Sequence, residues 1–310
     1  MDTNAVVIML SEAGTADRST VGGKAGVLGE LAAAGLPVPP GFVVTAADLD
    51  AHAWEAALAE AVGELGGSWF AVRSSGAAED LTDASYAGLY ETYLNVPLEE
   101  LPQAVRRCFA AAGADRISAY QQRHGGSPAA MAVLVQEMVD TVSAGVAFTA
   151  HPVTGDRDQT VVTAVAGLGD RLVSGEAVGE EWTITRHAAT LTRPIRTDLP
   201  VLAAGQAQAV ADLARSLAER YGRAQDIEWA IDRAGRLWLL QARPMTAVPE
   251  PVSWTAPGPG LWMRNFRLGE WLPEAVTPLF ATWLLPVLEV ATSTACTPPS
   301  KSGCRFGMRW

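Results

Sequence analysis

A short stretch near residue 230 constrains the fold more than any other part of the sequence. Asp226-Ile-Glu-Trp-Ala-Ile alternates polar and apolar residues, as a half-buried strand does. Asp232-Arg-Ala-Gly has the residue types of a tight turn, and Leu237-Trp-Leu-Leu-Gln-Ala-Arg-Pro244 is a second, largely apolar run. The pattern predicts a β-hairpin that folds about Ala234 and Gly235.

Folding this hairpin about its centre brings three polar side chains into one patch. Glu228 falls opposite Gln241, and Arg243, two residues further along, shares the face of Gln241. Carboxylate and amide oxygens are ligands suited to Mg²⁺, and a forked guanidinium suits phosphate. These residues alone leave two interpretations open, a magnesium and polyphosphate site or an ordinary surface salt bridge.

Two upstream segments carry a cation where a phosphate could bind. Val21-Gly-Gly-Lys24-Ala-Gly precedes a predicted helix over residues 27–34, and glycines beside a lysine let a phosphate approach the backbone. Its spacing is not that of a P-loop. Trp69-Phe-Ala-Val-Arg73 predicts a buried strand that ends in an arginine, where α/β sheets bind ligands. A solvated lysine and a structural salt bridge are the alternatives.

Two further segments complete the set of candidate nucleotide contacts. The run from Gly76 to Gly88 is long, small and polar, which is typical of a loop whose amides cover a phosphate and equally of a plain surface loop. Ala132-Val-Leu-Val-Gln-Glu-Met-Val139 predicts an apolar strand with a polar end. Such an edge can offer backbone groups to an adenine between apolar walls, although core strands look similar.

Taken in order, these segments resemble the ATP-binding domain shared by phosphoenolpyruvate synthase, pyruvate phosphate dikinase and the rifamycin phosphotransferases. The resemblance covers residues 1–247. Further matching motifs are Gly35-Leu-Pro-Val-Pro-Pro-Gly, Val72-Arg-Ser-Ser75, Tyr86-Ala-Gly88, Ser143-Ala-Gly-Val-Ala-Phe-Thr149, Pro152-Val-Thr-Gly155, Gly167-Leu-Gly169 and Val173-Ser-Gly175. The resemblance implies an α/β (α+β) fold of the two-lobed ATP-grasp type, in which the lobes clamp Mg·ATP.

The resemblance also implies roles for individual residues. It assigns phosphate binding and catalysis to Lys24, Arg73 and Arg243, adenine binding to Gln136, Glu137, Met138 and Val139, further nucleotide contacts to Gly88 and Asp170, and Mg²⁺ binding to Glu228 and Gln241. Positioning and electrostatics carry most of phosphoryl transfer, so these residue types suit the chemistry. Two positions depart from the family pattern, with Asp170 in place of Glu and His151 in place of Asn.

The reaction implied by the resemblance moves the β-phosphoryl of ATP to a histidine on a separate swivelling domain. The sequence contains His52, His124, His151 and His187, and none lies in the carrier motif of that domain. We therefore expect a chain that binds Mg·ATP but is incomplete and inactive alone. Three hypotheses follow: the ATP-binding half of a pyruvate, water dikinase, the same half of a rifamycin phosphotransferase, or a non-catalytic ATP-binding remnant.

The sequence divides into four predicted regions. These are a first lobe at 1–130, a second lobe with the metal-binding hairpin at 131–247, a linker and the start of a following domain at 248–288, and a tail of no family resemblance at 289–310. The tail suggests a truncation or a shifted reading frame, with ordinary divergence as the alternative. Pyruvate or a rifamycin would be the final acceptor of the complete enzyme.

Composition limits the classes of function. A net charge of −11 argues against nucleic-acid binding, which needs a basic surface. With 49% hydrophobic and 18% charged residues, the chain is predicted to be globular. The sequence has no predicted signal peptide or membrane span, and its three cysteines form no disulfide framework, so we expect a cytoplasmic protein.

Overall fold

The computed structural model describes residues 7–45, 53–76, 92–112, 131–186, 188–195, 200–246 and 248. These residues all belong to one compact unit, Met1–Pro251, and the second unit, Val252–Trp310, lies outside the described residues. The strands are β1 Val7–Met9, β2 Gly41–Val44, β3 Trp69–Gly76, β4 Thr92–Pro97, β5 Met131–Glu137, β6 Thr141–Phe148, β7 Thr160–Ala166, β8 Glu180–Ile184, β9 Ala189–Arg193, β10 Gln225–Asp232 and β11 Leu237–Pro244. The α-helices are α1 Leu10–Ala13, α2 Arg18–Val21, α3 Gly23–Ala33, α4 Ala53–Leu65, α5 Leu101–Ala112, α6 Asp170–Val173 and α7 Ala204–Tyr221.

The first sheet has five strands in the order β1-β2-β5-β3-β4, and neighbouring strands are antiparallel. Helices α4 and α5 cover one face, where Trp54, Phe70, Val72 and Val135 share a buried apolar cluster. Alternation along β3 buries Phe70 and Val72 in this cluster, so Arg73 projects from the opposite face. Arg73 therefore projects away from the helices. The prediction that the strand ends at Arg73 is wrong, because β3 continues to Gly76.

The second sheet has six antiparallel strands in the order β11-β10-β6-β7-β8-β9. Helix α7 packs on it through Val210 and Leu217, which are fully buried, and the partly buried Leu213 and Tyr221 join the same cluster. The near-helical spacing of these four residues in the sequence predicts a helix over 205–221, and the structure confirms it. Both sheets contribute to that cluster, which is the larger of the two apolar clusters formed by the described residues.

The hairpin β10–β11 pairs in the predicted register near the polar patch. Glu228 is the partner of Gln241, and Asp226 is the partner of Arg243. Trp229 then pairs with Leu239, so Leu240 is an extra residue that forms a β-bulge. Toward the turn, the positive φ of 81° at Gly235 suits glycine, which has no Cβ to oppose it.

Strand β5 lies in the first sheet, between β2 and β3, although the predicted second lobe begins at residue 131. The two sheets thus divide after Glu137, and Met138, Val139 and Asp140 connect them. The sequence predicts helices over 46–65 and 101–123, and within these ranges the structure describes α4 at Ala53–Leu65 and α5 at Leu101–Ala112. Of the predicted linker and following domain at 248–288, residue 248 alone is described, and the tail at 289–310 lies outside the described residues. No helix in the described part of the chain is both long and apolar enough to cross a membrane.

Candidate nucleotide and metal site

Arg73 connects the two sheets at the predicted polar patch. Its Nη2 donates to Oε1 of Gln241 at 2.9 Å and to Oε2 of Glu228 at 3.1 Å. Its Nη1 donates to the carbonyl of Leu240 at 2.7 Å, which is the bulged residue of β11. The side chain of Arg73 is only 11% exposed, so these contacts form in a partly desolvated place where charge-assisted hydrogen bonds are strong.

The side-chain oxygens of Glu228 and Gln241 converge on one point. Both accept from the same nitrogen of Arg73, so both are directed at the same small volume. Two converging hard oxygens fit Mg²⁺, which commonly takes one or two protein ligands and completes its shell with water and phosphate. The described ranges contain no group of three or more His, Cys, Asp or Glu that could hold a metal ion.

Lys24 lies beside β3, next to Ser74, which directly follows Arg73. Its Nζ donates to the carbonyl of Ser74 at 3.3 Å, and its side chain is buried. The Ser75 hydroxyl fixes the approach by donating to the carbonyl of Val21 at 2.9 Å and accepting from the amide of Ala25 at 3.0 Å. The start of α3 is thereby held against β3.

Gly22 makes this close approach possible. A Cβ at Gly22 would lie 2.1 Å from the carbonyl oxygen of Ser75, and the residue has a φ of 80°. Only glycine tolerates both conditions, which explains why the first residue of Gly22-Gly23-Lys24 is a glycine. The Gly-Gly-Lys sequence and the Arg-Ser-Ser sequence are therefore parts of one structural junction.

Arg243 is oriented by a neighbour across the hairpin. Its Nε donates to Oδ2 of Asp226 at 2.8 Å. Burial raises the pKa of Asp226, and the opposite charge of Arg243 acts against that rise. The resemblance assigns a role to Arg243 but none to Asp226, although the register that pairs Glu228 with Gln241 also pairs these two residues.

The residues predicted to form the adenine edge have different environments. Gln136 is buried, and its side-chain Nε2 donates to the backbone carbonyl of Pro39 at 3.0 Å. This hydrogen bond is a contact within the protein. The backbone amides of Glu137 and Met138 donate to the carbonyls of Pro40 and Trp69 at 2.9 Å each. Those two backbone amides therefore already have hydrogen-bond acceptors within the protein.

A cavity of about 320 Å³ adjoins this edge. Glu137, Met138 and Val139 line one side, and Trp238 lines another. Burial raises the pKa of the Glu137 carboxyl. The indole of Trp238 donates to Oδ2 of Asp232 at 2.8 Å, so the ring is fixed where it borders the cavity.

No contact among the described residues brings the remaining predicted site residues to Arg73, Glu228 and Gln241. Asp170 is exposed at the start of the four-residue helix α6. Gly88 lies outside the described residues, as do His52, His124 and His187. His151 is a loop residue whose Nδ1 accepts from the amides of Val153 and Thr154 at 3.2 Å each.

Comparisons with known proteins identify the family. Residues 53–199 and 186–256 match the pyruvate phosphate dikinase AMP/ATP-binding domain. Over 80% of this chain, it is 31% identical to a probable phosphoenolpyruvate synthase of Methanothermobacter thermautotrophicus and 34% identical to a prodigiosin synthesizing transferase of Serratia marcescens. A rifampicin phosphotransferase of a Streptomyces species is 39% identical over 59% of the chain.

The chain therefore belongs to the pyruvate phosphate dikinase AMP/ATP-binding domain family, as the resemblance predicted. It spans 47%, 34% and 24% of the lengths of these three relatives. Among solved structures, an N5-carboxyaminoimidazole ribonucleotide synthetase in complex with ADP aligns with a TM-score of 0.41 and 12% identity, covering 74% of this chain and 46% of that one. That likeness is too distant to support any statement about function.

Proposed function

We propose that this chain binds Mg·ATP between its two sheets and presents the β-phosphoryl group to a histidine on a separate domain. This is the first half-reaction of a phosphoenolpyruvate-synthase-like dikinase. The observation that carries the proposal is the meeting of Arg73 from the first sheet with Glu228 and Gln241 from the second. It assembles a phosphate-binding cation and two metal-binding oxygens in one place.

The dimensions of the hairpin support a nucleotide that lies along it. Alternate residues Glu228, Ala230 and Asp232 share one face of β10. Trp238 on β11 is the partner of Ala230. Asp232 lies four residue steps along the strand from Glu228, which is roughly 13 Å at ~3.3 Å per residue. This length suits an extended nucleoside triphosphate with its base in the cavity beside Trp238 and its phosphates at Glu228.

Each cation has a separate task in the proposed site. Lys24 and Arg73 bind and orient the phosphates, and Arg243 stabilises the charge that spreads over the transferring group. Glu228 and Gln241 would hold Mg²⁺, which neutralises phosphate charge when bound. The low exposure of Arg73 and Glu228, 11% and 20%, would limit water beside phosphates bound there, so a properly placed histidine would compete well with hydrolysis.

Isothermal titration with ATP and Mg²⁺ tests binding. We expect binding by the folded chain and a loss of affinity in Lys24→Ala and in Arg73→Ala. The exposed Arg193, paired with Glu181 at 3.1 Å, offers a charge-matched control in Arg193→Ala. Absence of binding by the native chain would refute the proposal, and unchanged affinity in both site variants would refute the site.

Transfer needs its own experiment because no histidine in the sequence has the carrier motif. We expect β-labelled ATP to label a histidine domain of the same family added in trans, with formation of AMP. The chain alone should show only slow hydrolysis and should form neither phosphoenolpyruvate from pyruvate nor a phosphorylated rifamycin. Stable label on His52, His124, His151 or His187 would contradict this expectation.

The second candidate is the ATP-binding half of a rifamycin phosphotransferase. It is supported by the 39% identity to a rifampicin phosphotransferase. The two candidates share the nucleotide half-reaction and differ in the final acceptor. Comparing the rate at which this chain labels the histidine domain of the phosphoenolpyruvate synthase with the rate for that of the rifampicin phosphotransferase would distinguish them. A chain that binds ATP but labels no histidine domain would be a non-catalytic remnant.

A further inference from the structure

Arg73 and a divalent cation need the same two oxygens. Oε2 of Glu228 and Oε1 of Gln241 both accept from Nη2 of Arg73, at 3.1 and 2.9 Å. A magnesium ion bound to both would lie at about 2.0–2.1 Å from each. A guanidinium in contact with the same pair would face that ion at short range in a place where charges are weakly screened.

Two features hold Arg73 on these oxygens, and a third favours its transfer to a new acceptor. Its Nη1 is held by the carbonyl of Leu240 at 2.7 Å, so the guanidinium is anchored on two sides. Its side chain is 11% exposed and that of Glu228 is 20% exposed, which limits screening by water. Nε of Arg73 is buried and finds no hydrogen-bond partner among the described residues, so a new acceptor that reaches it would add a hydrogen bond.

A triphosphate supplies such acceptors. Phosphate oxygens can take over the guanidinium in a bidentate manner, which releases Glu228 and Gln241 for the metal. A free divalent cation brings no acceptor for Arg73, because it carries only positive charge and water. The same residue thus opposes the metal alone and favours the metal when it arrives with phosphate.

We propose that Arg73 is a specificity determinant that makes the divalent site at Glu228 and Gln241 dependent on nucleotide. The site takes the cation with the triphosphate and rejects the cation alone. This inference rests on the proposed function, since it assigns the metal to these two oxygens. It predicts that loss of Arg73 changes the two affinities in opposite directions, which a merely structural role of Arg73 does not.

The test measures Mn²⁺ binding without nucleotide by electron paramagnetic resonance, in the native chain and in Arg73→Met. Removal of a competing charged hydrogen bond should tighten Mn²⁺ binding by about tenfold. Affinity for Mg·ATP, measured by titration calorimetry on the same preparations, should fall by about tenfold or more. Arg73→Lys keeps the charge but not the fork, so it should give a smaller increase in Mn²⁺ affinity.

Two controls separate this effect from others. Arg18→Met removes an exposed arginine that pairs with Glu30 at 3.4 Å, so it measures the effect of net charge alone and should leave Mn²⁺ binding nearly unchanged. Adding Glu228→Gln to Arg73→Met should abolish the gained Mn²⁺ binding if it occurs at this site. Circular dichroism confirms folding, and Arg73→Lys serves if the methionine variant does not fold.

The outcomes distinguish this inference from the proposed function. Weaker ATP binding with unchanged or weaker Mn²⁺ binding in Arg73→Met overturns the inference and leaves the proposed function standing. A gain in Mn²⁺ affinity equal to that of Arg18→Met overturns it as well. A native chain that binds no Mg·ATP refutes the proposed function, whereas a specific gain in Mn²⁺ affinity would still support competition at these oxygens.

Discussion

Nε and Nη2 of Arg243 both lie 2.8 Å from one oxygen of Asp226, Oδ2. The side chain of Asp226 is 10% exposed, whereas that of Arg243 is 44% exposed. The carboxylate is therefore fixed inside the sheet while the guanidinium extends toward solvent and the proposed phosphate site. Asp226 orients Arg243, and the two are direct partners across the hairpin.

This relationship predicts the effect of Asp226→Asn. The variant removes a charged acceptor of Arg243, so the direction of the guanidinium is held less firmly. We expect phosphoryl transfer to a histidine domain to slow by about tenfold, the effect of one charge-assisted hydrogen bond, with a smaller change in ATP affinity. Asp226→Glu should restore part of the rate. The measurement is single-turnover transfer of label beside calorimetric binding.

A matched control exists in the same sheet. Glu181 pairs with Arg193 at 3.1 Å on β8 and β9, with side chains 31% and 53% exposed. Glu181→Gln should leave both the transfer rate and ATP affinity unchanged, because exposed ion pairs contribute little. Equal losses in Asp226→Asn and Glu181→Gln would contradict a positioning role for Asp226.

The second prediction concerns Glu228. Glu228→Gln keeps the size of the side chain but removes the charge that suits Mg²⁺. We expect ATP binding with Mg²⁺ to weaken by about tenfold or more, and binding in excess chelator to change less. Calorimetric titration under both conditions measures the difference. Equal losses with and without the metal would argue that Glu228 contributes only through Arg73.

The third prediction concerns the turn of the hairpin. Oδ1 of Asp232 accepts from the amides of Ala234 and Arg236 at 2.9 Å each, and Oδ2 accepts from the Trp238 indole at 2.8 Å. In Asp232→Asn, the amide NH₂ would face that indole N–H. We expect the melting temperature at neutral pH to fall by roughly 2–4 °C.

The pH dependence of this effect follows from the direction of the pKa change. The hydrogen bond from Trp238 and the backbone bond from Arg236 lower the pKa of Asp232 below its ordinary value. A lowered folded-state pKa stabilises the protein above the ordinary carboxyl pKa, and this stabilisation disappears as the pH falls through the lowered value. The difference in melting temperature between Asp232→Asn and the native chain should therefore become smaller in acid. A constant difference would count against this assignment.

The fourth prediction concerns His151, which stands where the family commonly has asparagine. Its Nδ1 accepts from the amides of Val153 and Thr154, as an asparagine oxygen does in an Asx turn. His151→Asn should retain these acceptors, and His151→Ala should lose them. We expect faster tryptic cleavage at Arg157 in the alanine variant only. Equal cleavage in the two variants would show that Nδ1 does not hold the loop.

Local sequence determined the elements of the site because their signals lie within a few residues. The alternation of residues 226–231 and the turn at Asp232 predicted the hairpin, and its symmetry predicted the pairing of Glu228 with Gln241. Helix α7 followed from its apolar spacing. The family itself followed from the order of motifs and is confirmed by the match over residues 53–256. The assigned roles of the site residues stay predictions.

Only the tertiary structure decided how these elements combine. Strand β5 is almost entirely apolar, so its sequence suits a buried strand of either sheet, and pairing with β2 and β3 places it in the first. Arg73 is 155 residues from Glu228 and 168 from Gln241, and no local pattern specifies contacts at such separation. The bulge at Leu240 directs a carbonyl to the same arginine. Sequence periodicity reports which face of a strand is buried, whereas the choice of partner depends on packing between distant segments.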